Sequence, residues 1–155
     1  MTASRPSRSL LLVWLAAAAA MGVAFTLQFG FAKAPCHLCL YERVPYYAVL
    51  GILPVAIAVG RPRLGLVLAG LLLLGNAGLS AYHVAVEQGW TALPASCVAG
   101  GTARTIEELR AELANAAPTC DQVSVTFLGI SLAAWNLLFA AALGVFSLLA
   151  ARRPQ

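Results

Sequence analysis

The stretch Leu64–Val86, LGLVLAGLLLLGNAGLSAYHVAV, is apolar for long enough to cross a lipid bilayer as a helix. A spanning helix needs roughly 20 consecutive, mostly apolar residues. Three other stretches meet the same requirement: about Leu10–Phe31, Tyr41–Val59 and Val125–Ala151. Because a backbone in lipid must satisfy its own hydrogen bonds, each stretch is expected to be helical. The sequence therefore predicts an all-α membrane protein with four transmembrane helices.

Composition supports the same fold class. The 155 residues are 61% hydrophobic and 10% charged, with a mean hydropathy of +0.83. Soluble domains average about a quarter charged residues, so a soluble core is the wrong description. The length fits one membrane domain, residues 1–155, and no internal repeat or linker divides it.

The distribution of charge predicts an orientation. The basic residues beside the apolar stretches are Arg5, Arg8, Arg61, Arg63, Arg152 and Arg153. By the positive-inside rule, both termini and the connection Gly60–Arg63 are expected in the cytoplasm. All six acidic residues fall on the other side, together with the four cysteines. The net charge of +4 is not gathered on one soluble face, so no nucleic-acid partner is expected.

The N-terminal segment resembles a signal peptide, with arginines, an apolar run and Ala32-Lys33-Ala34 as a possible cleavage site. Its run of about 22 residues is longer than the roughly 7–15 of a signal. Pro35 also follows immediately. We expect the segment to be retained as the first span.

The connections predict an up-down bundle, because short loops make neighbouring helices antiparallel. The outer loops cover about residues 32–40 and 87–124. Pro45 is tolerated in the first turn of a helix, so the second helix should begin near Leu40–Glu42. In the second loop Thr105-Ile-Glu-Glu108 has the form of a capping box and predicts a short amphipathic helix over Ile106–Ala116. That helix should lie on the membrane surface or pack on the bundle.

The four cysteines carry the chemistry: Cys36-His-Leu-Cys39, then Cys97 and Cys120. A Cys-x-x-Cys motif alone is compatible with zinc, haem or redox chemistry. Leu40 after Cys39 excludes the haem-attachment motif, and the spacing of Cys97 and Cys120 lacks the usual paired zinc knuckles. Two static structural disulfides remain an alternative, and no metal site is expected.

The surroundings of Cys39 favour redox activity. The partial positive charge of a helix N-terminus and Arg43, four residues along, both stabilise a thiolate over a thiol. Arg43 could instead snorkel to the interface or pair with Glu42. An oxidase also needs an electron acceptor, and the chain has no G-x-G-x-x-G motif for a nicotinamide or flavin. A lipid-soluble quinone is the acceptor that a thiolate at the membrane edge can reach.

Pro35–Arg43, PCHLCLYER, resembles the disulfide bond formation protein B (DsbB) family of the bacterial inner membrane. The likeness extends along nearly the whole chain. It includes Ala81-Tyr82-His83, the loop with Cys97 and Cys120, and Phe127–Leu132.

The resemblance implies a relay from a protein dithiol to a membrane quinone. A reduced periplasmic DsbA-like thiol oxidoreductase would attack the Cys97–Cys120 disulfide and form a mixed disulfide with Cys97. Cys120 would then exchange with Cys36 and free Cys39.

The resemblance also implies the cofactor site. Cys39 would face ubiquinone or menaquinone, Arg43 would stabilise the negative charge, and His83 matches the family's histidine near the quinone. His83 could instead be an interfacial side chain satisfied by lipid or backbone. The cysteine loops would then be periplasmic.

Two further expectations concern polar and aromatic residues near or within the spans. Asn76 and Asn136 fall at similar depth, and we expect them to hydrogen-bond across the third and fourth helices. The aromatic residues Tyr46, Tyr47, Trp90 and Trp135 are expected to be interfacial anchors rather than quinone contacts.

Overall fold

In the computed structural model, the described residues are 8–94, 97, 105–108, 110, 118–123 and 125–152. They form mainly helix. The long helices are α1 (Arg8–Phe25), α2 (His37–Ala58), α3 (Pro62–Glu87) and α4 (Leu132–Arg152). A π-helical turn, Thr26–Gly30, extends α1, and two short strands, β1 (Thr126–Phe127) and β2 (Ile130–Ser131), precede α4.

The membrane prediction is confirmed in part. The segments Arg8–Gly30, Pro62–Glu87 and Leu132–Arg152 are long and apolar enough to cross a bilayer. Helix α2, with Glu42 and Arg43 near its start, is not among these candidates within the described part of the chain. Large apolar side chains stay exposed on the outer helix faces, as with Leu12 and Val55, and lipid would cover such side chains. These features indicate a membrane protein, and a bundle with four crossings stays a prediction.

The start of α2 differs from the expectation. The helix begins at His37, so Pro45 lies inside it and not in its first turn. The extra turn exists because Cys36 caps it: Cys36 Sγ accepts the backbone N–H of Cys39 at 3.1 Å. A proline inside a spanning helix is tolerated where neighbouring groups satisfy the freed backbone. Cys39 is therefore in the first turn of α2, near the N-terminal edge, as predicted.

The fourth span also begins later than predicted. Residues Thr126 and Ser131 pair in an antiparallel hairpin, together with Phe127 and Ile130. The turn residues Leu128 and Gly129 have φ angles of 53° and 78°, which a two-residue type I′ hairpin requires and an α-helix excludes. Helix α4 consequently starts at Leu132.

Helix α3 is at the centre of the fold, because it packs most extensively on α4 and next on α2. The approach of α3 to α4 is close at Gly70 and Gly144: a Cβ added at Gly144 would lie 3.1 Å from the Gly70 carbonyl oxygen. Ser147 Oγ donates to the Leu66 carbonyl at 2.8 Å between the same helices. Helix α1 is joined to α2 by a hydrogen bond from Trp14 Nε1 to the Leu50 carbonyl at 3.1 Å.

The capping box in the second loop is confirmed. The Glu108 N–H donates to Thr105 Oγ1 at 3.1 Å, and the Thr105 N–H donates to Glu108 Oε2 at 3.3 Å. Residues 106–108 are helical, and Ile106 is 67% exposed. Most of the rest of the predicted amphipathic helix, up to Ala116, lies outside the described residues. So do Arg5 and Arg153, on which the orientation partly depends.

Candidate functional site

The four cysteines form two disulfides, Cys36–Cys39 and Cys97–Cys120. The Cα–Cα distances are 5.1 and 5.5 Å, and the pairing is the one that the family resemblance implied. Cys36, Cys97 and Cys120 are buried in one small apolar cluster, while Cys39 at its edge is half-buried. The two disulfides therefore belong to the same buried cluster.

His83 projects from the last turns of α3 toward the first of these disulfides. Its Nε2 lies 3.6 Å from Cys36 Sγ, and its Nδ1 lies 2.8 Å from Glu42 Oε1. Both side chains are buried. The alternative of an interfacial histidine satisfied by lipid or backbone is wrong, because its two ring nitrogens face a sulfur and a carboxylate.

A hydrogen-bond network holds Glu42 in place. Asn136 Nδ2 donates to Glu42 Oε2 at 2.9 Å and to Ser80 Oγ at 2.8 Å, and Tyr46 donates its hydroxyl to Asn136 Oδ1 at 2.6 Å. Because the Glu42 carboxylate only accepts hydrogen bonds, the amide NH₂ of Asn136 must face Glu42, and its carbonyl oxygen accepts from Tyr46. Both oxygens of Glu42 then accept, and His83 Nδ1 donates. His83 Nε2 is left as an acceptor that faces Cys36.

Two expectations about these residues are wrong. Tyr46 is not an aromatic-belt anchor, because it is 3% exposed and bonded to Asn136. Asn136 bonds to α2 and to Ser80 rather than to Asn76, whose side-chain amide has no hydrogen-bond partner among the described residues. Helix rotation explains the difference, because equal depth in the membrane does not make two side chains face each other.

Arg43 is oriented by the end of the first helix. Its Nη1 donates to Gln28 Oε1 at 2.6 Å, and its guanidinium lies 5.6 Å from the centre of the Phe25 ring. It makes no ion pair with Glu42, whose oxygens accept from His83 and Asn136. The sequence pointed to Arg43 by its spacing from Cys39, and Gln28 carried no such signal.

Cys39 and Arg43 line one cavity of about 380 Å³. This volume is within the range of about 300–1,000 Å³ typical of small-molecule sites. Its polar lining includes Lys33, Cys36, Cys39, Glu42, Arg43, His83 and Glu87. Its apolar lining includes Ala19, Ala20, Val23, Ala24, Leu27, Leu132, Trp135 and Phe139. Trp135 therefore lies in the cavity wall, where the sequence had suggested only an interfacial anchor, and Tyr47 and Trp90 do not line it.

Glu87 is a site residue that the sequence analysis did not identify. Its side chain is 6% exposed, its Oε1 lies 4.0 Å from His83 Nε2, and its Oε2 has no hydrogen-bond partner in the described part of the chain. The only signal available in the sequence was its position four residues after His83, one helical turn along the same face.

The site also has the donor atoms of a metal centre. The ligand atoms of Cys36, Cys39 and His83 all lie within 4.8 Å of one another. In the disulfide form the two sulfurs are bonded to each other.

Comparison with known proteins agrees with the cysteine chemistry. The uncharacterized protein RP370 of Rickettsia prowazekii (strain Madrid E) is 29% identical over 132 residues, which cover 82% of this chain and 77% of the relative. No solved structure matches the chain. The family model described as disulfide bond formation protein DsbB matches residues 6–150. The chain, with its two adjacent disulfides and its apolar helices, therefore belongs to the DsbB family.

Proposed function

We propose that the protein is a membrane protein-dithiol oxidase that reoxidises a periplasmic DsbA-like thiol oxidoreductase and passes the electrons to a membrane quinone. One observation carries the proposal. The Cys36–Cys39 disulfide has one sulfur, Cys36, in the cluster with the second disulfide and the other, Cys39, on a cavity lined largely by apolar side chains. A disulfide in that position can receive electrons on one side and release them on the other.

The thiol steps are those that the resemblance to the DsbB family implies. A thiolate of the reduced partner attacks Cys97, the Cys97–Cys120 bond breaks, and Cys120 leaves as a thiolate. Cys120 attacks Cys36, so that a Cys36–Cys120 disulfide forms and Cys39 leaves as a thiolate. The second thiolate of the partner resolves the mixed disulfide, and the partner departs with its own disulfide. Two electrons have then moved from the partner into the chain.

His83 acts at the later step that frees Cys36: the Cys97 thiolate attacks Cys120, the Cys36–Cys120 bond breaks, and Cys36 leaves as a thiolate. Because Glu42 fixes its Nδ1 as a donor, Nε2 can carry the proton that the leaving Cys36 takes up and can accept it back when the Cys36 thiol reacts again. Glu42 and Asn136 are positioning residues in this scheme, since they act through the orientation of the imidazole.

The cavity fits a quinone. Its apolar wall suits a planar ring with an isoprenoid tail, and the Arg43 guanidinium, held by Gln28, supplies a fixed positive charge beside Cys39. Cys39, Arg43 and His83 are the residues that would hold the ring, whether of ubiquinone or menaquinone. When bound, a quinone supplies the two-electron acceptor. The Arg43 charge stabilises the Cys39 thiolate and any negative charge that develops near it.

The proposed orientation places the cysteine end of the bundle in the periplasm of the bacterial inner membrane, with both termini in the cytoplasm. The opposite end carries Arg61, Arg63 and Arg152, and Arg63 Nε donates to the Ala151 carbonyl at 3.1 Å. This clustering of arginines at one end supports the proposal through the positive-inside rule.

The decisive experiment measures quinone reduction by the purified protein. With a reduced DsbA-type partner and added ubiquinone or menaquinone, the quinone absorbance should fall by one equivalent for each two thiols oxidised. A Cys39→Ser variant is the control and should not reduce quinone. If the wild-type protein leaves the quinone unchanged while both disulfides stay closed, the cysteines are static structural links and the proposal is wrong.

A further inference from the structure

We propose that reduction of the Cys36–Cys39 disulfide opens a zinc site made of Cys36 Sγ, Cys39 Sγ and His83 Nε2, with Glu87 as the fourth ligand. The site requires only that a dithiol or phosphine reduce this disulfide. It is therefore independent of the electron acceptor and of the proposed function.

The distance between Cys36 Sγ and His83 Nε2 fits two ligands of one zinc ion. Bond lengths of about 2.3 Å for Zn–S and about 2.0–2.1 Å for Zn–N, at tetrahedral angles, separate the sulfur and nitrogen by about 3.6 Å. Cys36 Sγ and His83 Nε2 are 3.6 Å apart in the structure. Two groups have to move: the Cys39 sulfur, which is bonded to Cys36 in the oxidised form and is released by reduction, and the Glu87 carboxylate, whose Oε1 is 4.0 Å from His83 Nε2.

His83 is already oriented as a zinc-bound histidine would be. Zinc-bound histidines almost always donate the other ring N–H to a carboxylate or a carbonyl, which presents the remaining nitrogen to the metal. Glu42 Oε1 accepts from His83 Nδ1 at 2.8 Å, and Asn136 holds the other oxygen of Glu42 at 2.9 Å. The carboxylate that would orient a zinc-bound histidine is therefore already in place.

Glu87 supplies a carboxylate near His83. This buried carboxylate has one oxygen 4.0 Å from His83 Nε2 and another without a hydrogen-bond partner in the described ranges. A buried carboxylate oxygen without a donor is costly, and a cation is one of the groups that satisfies it. Two thiolates, one imidazole and one carboxylate form a ligand set of the types that zinc binds in proteins.

Binding couples to the thiol chemistry through protons. Two thiols and one Zn²⁺ give a bis-thiolate complex and release two protons. Both sulfurs are then held as ligands, so the disulfide cannot re-form until the metal leaves. This one consequence rests on the proposed function: free zinc would stop turnover with the chain in its reduced state.

The test uses the full-length chain in detergent with Cys97→Ser and Cys120→Ser, so that only two thiols remain. The protein is reduced with a phosphine, because dithiols bind zinc themselves, and titrated with Zn²⁺ against a chromophoric chelator. One Zn²⁺ should bind per chain after reduction and none before it. His83→Gln should weaken binding at least about 10-fold, and Glu42→Gln should weaken it by about 10–100-fold, as is typical when the hydrogen-bond partner of a metal-bound histidine is replaced.

His37→Gln is the matched control, since His37 is next to Cys36 but exposed. It should leave the zinc affinity unchanged. Equal affinities of the two-thiol protein with and without His83→Gln would overturn the proposal, because they would show a dithiol that binds zinc without the imidazole.

A measurement without changes at the ligands covers the case in which His83→Gln does not fold. X-ray absorption at the zinc edge of the reduced, zinc-loaded protein should give two sulfur and two nitrogen or oxygen neighbours, with the outer-shell scattering of one imidazole. A spectrum without the imidazole signature contradicts the site. A failure of quinone reduction leaves this result unaffected, so the two proposals are tested separately.

Discussion

Replacing Glu42 with glutamine should reverse the tautomer of His83. Glutamine has one oxygen and one NH₂ where glutamate has two acceptors. Hydrogen bonds to Tyr46 at 2.6 Å and to Ser80 at 2.8 Å fix the Asn136 amide. Its NH₂ therefore keeps donating to position 42, where the acceptor becomes the glutamine oxygen. The glutamine NH₂ must then donate to His83 Nδ1. The proton of His83 moves to Nε2, which becomes a donor facing Cys36.

The magnitude follows from the bonds that remain. Both hydrogen bonds at position 42 survive, but each loses its charge assistance. Bonds to charged groups are worth about 1.5–3 kcal/mol and neutral ones about 0.5–1.5 kcal/mol, so the two changes together remove about 2–3 kcal/mol of stability at the midpoints of these ranges. Glutamine has no charge, so the free-energy cost of burying the Glu42 charge disappears, which offsets part of this loss. The chemical effect is larger, because loss of a general base typically costs about 10²–10⁴-fold in rate.

Two measurements check this prediction. Nitrogen-15 NMR of histidine-labelled protein reports which ring nitrogen carries the proton, and His37 is the only other histidine. Rapid-mixing kinetics with a reduced dithiol partner report the exchange step at Cys36. The control is Glu107→Gln, at an exposed glutamate away from the cavity lining. If His83 keeps its proton on Nδ1 in the Glu42→Gln protein and the exchange rate is unchanged, the assignment of the network is wrong.

Three other changes test the site and the packing. Arg43→Gln should raise the KM for quinone at least about 10-fold, because it removes a charge that stabilises the site by roughly 1.4 kcal/mol or more. It should leave single-turnover oxidation of the partner nearly intact. Stopped-flow kinetics measure the two steps separately, and the opposite pattern contradicts the assigned role. Cys120→Ser, mixed with the partner in its disulfide form, should trap the partner on Cys97, because the Cys97 thiolate opens the partner disulfide and no Cys120 thiolate is present to displace the partner. Peptide mass spectrometry that located the bond elsewhere would reverse the order of transfer. Gly144→Ala should destabilise the protein by about 1–3 kcal/mol in detergent unfolding, because the added Cβ would lie 3.0 Å from the Leu74 side chain. Gly75→Ala is the control: a Cβ there would have nothing within 4 Å, so the change should be neutral or stabilising.

Some of the site could be predicted because its residues are close together in the sequence. Cys36, Cys39 and Arg43 occupy one end of a single helix, so their spacing fixes their neighbourhood. Other features came from distant contacts. His83 meets Cys36 across 47 positions, and Asn136 meets Glu42 across 94. No period or motif in one sequence specifies such contacts, which depend on how each helix is rotated about its axis.

The ends of some helices could be predicted from the sequence, and the ends of others could not. Helix α3 begins and ends within two residues of the predicted stretch, because its ends coincide with the ends of an apolar run. Helix α4 begins seven residues later than the apolar run, since a hairpin turn at Leu128 and Gly129 uses apolar residues in positions that hydropathy cannot distinguish from a helix.

The sequence by itself determined that this protein belongs to the membrane, through long apolar runs, and that its chemistry is that of thiols, through the spacing of its cysteines. Only the tertiary structure decided which nitrogen of His83 faces the sulfur, that Glu42 and Asn136 hold it there, and that Glu87 is buried beside it. The physical reason is that hydropathy and spacing act along one helix. Buried polar groups, by contrast, must find their hydrogen-bond partners on other helices, and the packing of all the helices together selects those partners.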